Sequence, residues 1–173
     1  MTLLKKIYDV VGTVSEWSGR LVSIAVPVLI VTICYDVLMR YAFNAPTVWS
    51  FELSYMLGTA IISLGLPYVH YHSSHVRVDV VYSRLSARSR LVLDTVLTIA
   101  LFFPLALIWT QISAVNAWQS FITHEISYDS MWYPPLWPFK FVIFLGFLLL
   151  LAQGTATFLR SVLALAKGGE QPW

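Results

Sequence analysis

Apolar positions crowd into four long blocks along this chain. The first runs from Leu21 to Met39 with Asp36 as its one charge, and the second from Trp49 to Tyr71 with Glu52 near its start. The third begins at Leu91 and stays largely apolar through Trp109, towards Trp118; the fourth runs from Phe139 to Leu159. A helix needs roughly 17–25 residues to cross a hydrocarbon core of about 30 Å, and each block has that length. In lipid the backbone must satisfy its own hydrogen bonds, so blocks of this length are predicted to be helices. The expected spans are about 21–40, 49–71, 91–112 and 139–159, within one integral membrane domain covering residues 1–173. Pro27, Pro67 and Pro104 fall inside or near the ends of these blocks and predict local kinks.

The segment ahead of the first block has a different pattern. Leu3, Ile7, Val10, Val14, Trp17 and Leu21 recur every three or four residues, with Lys6, Asp9, Thr13, Glu16 and Arg20 mainly on the other side. This predicts an amphipathic helix over residues 1–20, lying in the membrane interface. A packing face against a partner subunit is the alternative. Lys5 and Lys6 resemble the basic start of a signal peptide, but the apolar block begins about fifteen residues later, without a clear small-residue cleavage site. A retained helix is therefore expected. The fold class is an all-α membrane protein of four transmembrane helices preceded by an amphipathic interfacial helix.

Composition agrees. Of the 173 residues, 58% are hydrophobic and 12% charged, against about 45–50% apolar and 25% charged in soluble domains. An ordinary soluble domain is excluded. The net charge is only +2, and no basic patch is interleaved with stacking aromatics, so nucleic acid is not an expected partner. One cysteine, Cys34, excludes an intrachain disulfide. Four spans put both termini on one side, with Lys5, Lys6, Arg20, Arg77, Arg84, Arg88, Arg90, Arg160 and Lys167; only Arg40 and Lys140 face the other way. Positive charge favours the cytoplasm, so both termini are expected there. Trp49, Trp118, Trp132, Tyr133 and Trp137 form an aromatic belt on the far side.

Catalytic chemistry has little to stand on. The sequence holds no phosphate-binding glycine loop, nucleophile elbow or paired-cysteine metal motif. His70, His72 and His75 cluster without a zinc spacing, and no histidine falls mid-membrane where a haem ligand would sit. No metal, cofactor or enzyme activity is expected. The polar residues within the spans are Asp36, Glu52, Gln111, Asn116 and Gln153. Asp36 and Glu52 sit near the far interface and Gln153 towards the cytoplasmic end, unlike a transporter's midplane site. Asp36 and Arg40 are four residues apart and share a helix face. With Trp49 and Glu52, they are expected to clasp the first two spans, Arg40 being met by Asp36, by Glu52 or by both. Ser54, Gly58 and Gly65 form a small-residue stripe on the second span, where another helix can approach closely.

Four stretches, in this order across nearly the whole chain, resemble a known family. They are "RYAFNAPTVWSFEL" from Arg40, "HVRVDVVYSRLSARSR" from His75, "AWQSFITHEISYDSMWYPPLWPFK" from Ala117, and Gly146 with "LLLLAQG" in the fourth block. Together they are similar to the DctQ-type small membrane subunit of tripartite ATP-independent periplasmic (TRAP) transporters. Where the family often carries two adjacent acids, this chain has Ser50-Phe51-Glu52, so one acid carries over. The resemblance implies a bacterial inner-membrane subunit that braces a large membrane subunit holding the substrate and sodium sites. A periplasmic binding protein would deliver an organic anion, and Glu125, Asp129 and Trp132 are candidates to help dock it. Arg77, Asp79, Arg84, Arg88 and Arg90 are candidates for contacts with membrane lipids or for setting topology. A membrane anchor for a respiratory redox complex is the alternative function, and a standalone small transporter is a third.

Overall fold

The computed structural model describes residues 2–72 and 87–166, and these are helical almost throughout. Helix α1 spans Thr2–Ala42 and α2 spans Ser50–Tyr71. Helix α3, Ala87–Leu97, runs through a π-turn, Thr98–Phe102, into α4, Phe103–Ile122; α5 spans Trp137–Ala166. Among the described residues, four stretches are long and apolar enough to cross a membrane: Lys5–Ala42, Ser50–Tyr71, Val92–Ile122 and Trp137–Leu165. This is a multi-pass membrane protein.

The amphipathic segment and the first span are one helix. Nothing interrupts Thr2–Ala42, and at 1.5 Å per residue it is about 60 Å long. Its first half has three faces. Gly12, Ser15 and Ser18 are buried, whereas Val10, Trp17 and Leu21 of the apolar stripe are exposed. The small residues pack against this chain; the apolar stripe is left for lipid or a partner.

The π-turn follows from Pro104. Proline has no N–H to give the carbonyl four residues back, here Ala100, and its ring crowds that carbonyl. The third span widens locally, so that the Phe103 N–H bonds to the Thr98 carbonyl.

Helix α5 is the centre of the array. It packs against α1, α2 and the third span, while α2 also packs against α1. Tyr55 meets Phe139 with ring centroids 5.6 Å apart, and Ser63 meets Gly146, so α2 and α5 run parallel. Among the described residues the buried hydrophobic side chains are all alanines: Ala106, Ala117, Ala156 and Ala164. Lipid tails are as apolar as leucine, so burying large side chains drives nothing; helices associate by close approach of small ones.

Candidate functional sites at the two ends of the bundle

At one end, Asp36 organises the passage from α1 to α2. Its Oδ2 accepts a hydrogen bond from Arg40 Nη2 at 2.8 Å. Its Oδ1 accepts from the Thr47 hydroxyl and from the Thr47 backbone N–H at 3.4 Å. Ser50 Oγ, at the start of α2, lies 2.5 Å from the same Thr47 hydroxyl oxygen. Asn44 takes a left-handed φ of 50° to turn the chain, a conformation asparagine tolerates. The Ala45 N–H then bonds back to the Met39 carbonyl at 3.0 Å. Trp49 stacks on Tyr35 at 5.8 Å.

Of the two carboxylates offered to Arg40, the fold brings Asp36. Glu52 is buried, and neither of its oxygens has a hydrogen-bond partner. It lies two residues beyond Ser50, about 200° round the helix. The parallel register of α2 and α5 carries it to the level of the segment before α5. Thr47, which sequence reading missed, is the residue that ties Asp36 to the second helix. The available signal was a hydroxyl just ahead of a helix start.

The segment between α4 and α5 is a pinned loop at the same end. Lys140 Nζ donates to Glu125 Oε2 at 2.5 Å. That bond holds the Glu125 carboxyl below its ordinary range, against an opposing push from partial burial. The Ser127 N–H bonds to the Pro134 carbonyl and the Leu136 N–H to the Glu125 carbonyl, each at 2.9 Å. Left-handed φ values at His124 and Tyr133, 48° and 51°, make the corners. Of the three docking candidates, Glu125 is thus at the base, engaged with Lys140. Asp129 and Trp132 are exposed at the tip beside Tyr128 and Met131, which are 79% and 80% exposed.

At the other end, α1 is bound by contacts the sequence did not announce. Gly12 lies under the ring of Tyr71 and Gly19 under that of Tyr68. The Ser15 hydroxyl donates to Gln153 Oε1 at 3.1 Å, in the bundle's interior. Arg160 donates to the Tyr8 hydroxyl at 3.2 Å and sits over its ring. His70 stacks on Phe102 at 5.1 Å, and His72 meets Tyr68 at 4.4 Å. Among the described residues no group of three His, Cys, Asp or Glu could hold a metal ion. Arg77, Asp79, Arg84 and His75 lie outside the described residues. Arg88 and Arg90 fall on the start of α3, their side chains also outside the description.

Among the described residues, the small-residue stripe of α2 makes no close helix contact at its two glycines. A methyl group added at Gly58 or Gly65 would enter open space, and Ser54 is half-buried. Gly65 lines an apolar groove of about 450 Å³ between α1 and α2, with Gly19, Ile62 and Leu66.

The chain matches the family model described as Tripartite ATP-independent periplasmic transporters, DctQ component, over residues 29–164. No curated protein and no solved structure matches it. The matched region begins inside α1 and takes in all of α2, α3 and α4 and nearly all of α5. It therefore includes the Asp36 turn, the pinned loop and the stripe on α2. The chain belongs to the DctQ family: it is a small membrane permease subunit of a TRAP transporter.

Proposed function

We propose that this subunit is a brace. It holds the large membrane subunit of its transporter in the bacterial inner membrane, with both termini cytoplasmic. The large subunit carries out sodium-driven uptake of an organic anion delivered by a periplasmic binding protein. One observation carries this reading: among the described residues many large apolar side chains are exposed, and the buried hydrophobic ones are all alanine. A chain built this way offers surface to neighbours and keeps little room inside for a solute. The groove of α1 and α2 at Gly65, with the open space at Gly58 on the same stripe, is the face offered to a helix of the large subunit, because small residues admit close approach. The Asp36–Arg40–Thr47 cluster, with Trp49 against Tyr35, clasps the first two spans. The loop tip with Asp129 and Trp132 assists docking of the binding protein, and Glu125 sets the loop's posture. Arg77, Asp79, Arg84, Arg88 and Arg90 contact lipid headgroups or fix topology.

Co-purification tests the proposal. A tagged subunit extracted in mild detergent brings down a large, many-helix membrane protein without pigment. A haem- or flavin-bearing partner would instead make the chain a redox anchor. Reconstituted alone, the subunit moves no organic acid; sodium-dependent uptake without a partner would overturn the brace.

A further inference from the structure

A second groove, of about 260 Å³, lies between α2, α4 and α5 at the end that carries the pinned loop. Its polar lining comes from Tyr55, Trp109, Ser113, Asn116 and Lys140. The hydrogen bonds these groups already make decide what it can receive. The Lys140 ammonium has three donors, and gives one to Glu125 Oε2. The Asn116 amide, the Tyr55 hydroxyl and the Trp109 indole N–H have no partner among the described residues, and all three side chains are exposed. The Ser113 hydroxyl spends its proton on the Trp109 carbonyl at 2.7 Å, with the Thr110 carbonyl at 3.0 Å, so its oxygen can only accept. Among the described residues no carboxylate lines the groove; Glu125 meets Lys140 from outside the lining.

Spare donors around a cation suit an oxyanion. A zwitterionic headgroup would bring a second ammonium to Lys140. A transmembrane helix has its carbonyls spent on its own hydrogen bonds and would leave these donors unmet. Depth points to the source of the oxyanion. Lys140 is in the first turn of α5, Tyr55 in the second turn of α2, and Asn116 in the last two turns of α4. The donors therefore stand at headgroup level. Below them Ile112, Ile143 and Phe147 carry the groove towards the membrane middle as an apolar wall, with Trp109 stacked on Phe147 at 5.7 Å. A ring of donors above an apolar wall matches the two parts of a lipid. We infer that this groove binds an anionic glycerophospholipid of the phosphatidylglycerol class, its phosphate at Lys140, Asn116 and Tyr55 and an acyl chain along Ile112, Ile143 and Phe147.

Native mass spectrometry of the full chain in mild detergent tests this. The probes are phosphatidylglycerol and phosphatidylcholine, with soluble glycerol 3-phosphate in a separate arm. Both lipids carry a phosphate, but only the first has a net negative charge. Phosphatidylglycerol is expected to be retained about fivefold over phosphatidylcholine, the worth of one basic side chain at an anionic lipid. Lys140→Met should abolish that preference and Lys140→Arg should keep it. Glu125→Gln also unpins the loop but leaves the cation in place, so the preference should hold or rise. If Lys140→Met does not fold, Asn116→Leu with Tyr55→Phe should reduce the preference instead. Equal retention of the two lipids, or a preference unchanged in the variants that remove donors, would overturn the site. Loss in Glu125→Gln to the same extent as in Lys140→Met would show that the loop's posture, not the ammonium, selects the lipid, and would overturn it too. Binding of glycerol 3-phosphate without lipid preference would overturn the lipid assignment.

Discussion

Gly146 of α5 packs its Cα directly against the backbone carbonyl of Ser63 on α2. That carbonyl has lost its helical donor, because the residue four positions on is Pro67. A carbonyl bared by a proline in one helix is thus covered by a glycine of the next. A side chain at position 146 would collide with backbone, which cannot swing aside.

Gly146→Ala is expected to destabilise the isolated subunit by about 1–3 kcal/mol, the cost of overpacking. Thermal unfolding in detergent checks this. An unchanged midpoint would mean that α2 and α5 are not in this register.

The same substitution at Gly58 should do the opposite. Space there is open, and alanine is the better helix former by roughly 0.5–1 kcal/mol. The isolated subunit should hold or gain stability in Gly58→Ala. Gly58→Leu or Gly65→Leu should leave it folded yet reduce recovery of the large subunit. Full recovery with both leucine variants would remove the α2 face from the proposed interface.

At the helical turn, Asp36→Ala should cost more than Arg40→Ala. Asp36 anchors Thr47 as well as Arg40, so its loss breaks the tie between α1 and the start of α2 as well as the pairing within α1. The Arg40 side chain is 56% exposed and its partner is one turn away, a pairing worth about 0.3–0.5 kcal/mol. Thr47→Val should resemble Asp36→Ala. The reverse order in complex assembly would place the clasp's strength in Arg40.

Acid should release the pinned loop. The Lys140 ammonium lowers the Glu125 carboxyl from its reference value of 4.5. A depressed folded-state value stabilises above the unfolded one, and the benefit disappears as pH falls through the folded value. A spin label at Met131→Cys in a Cys34→Ser background should stay ordered at neutral pH and become mobile only once the pH has fallen below the reference value of 4.5. In Lys140→Met it should be mobile at neutral pH already. A label whose mobility ignores both acid and Lys140→Met would show that other contacts hold the loop.

In the interior, Ser15 and Gln153 should respond unequally. Gln153 already leaves its Nε2 without a partner, so Gln153→Met removes an unsatisfied group and should be neutral or stabilising. Ser15→Ala strands Oε1 as well and should cost about 0.6–1.7 kcal/mol, as interhelical hydrogen bonds in membranes do. Equal losses in thermal unfolding would mean that the amide finds another partner.

Hydropathy and block length determine the four spans. The chain's own backbone must bond to itself in lipid, so about twenty apolar residues leave one solution. Asp36 with Arg40 is legible for a related reason: helical geometry alone brings residues four apart together. Reach was less legible. The spans at 21–40, 91–112 and 139–159 read shorter than the helices, because polar residues at helix ends dilute hydropathy without ending the helix.

Tertiary structure decided the rest. Only the parallel register of α2 and α5 sets Gly146 on Ser63 and leaves Glu52 away from Arg40. The crossing of α1 and α5 sets Ser15 on Gln153, residues 138 positions apart. Pro104 announced a kink, but how its turn packs depends on Gly154 of the neighbouring α5, which admits the Phe102 ring. Nor could periodicity say which face of α1 is inward: apolar periodicity marked the stripe that is exposed, and the buried side belongs to glycine and serine. In water the apolar face seeks the interior; in lipid it has no such preference, and fit between small residues makes the choice.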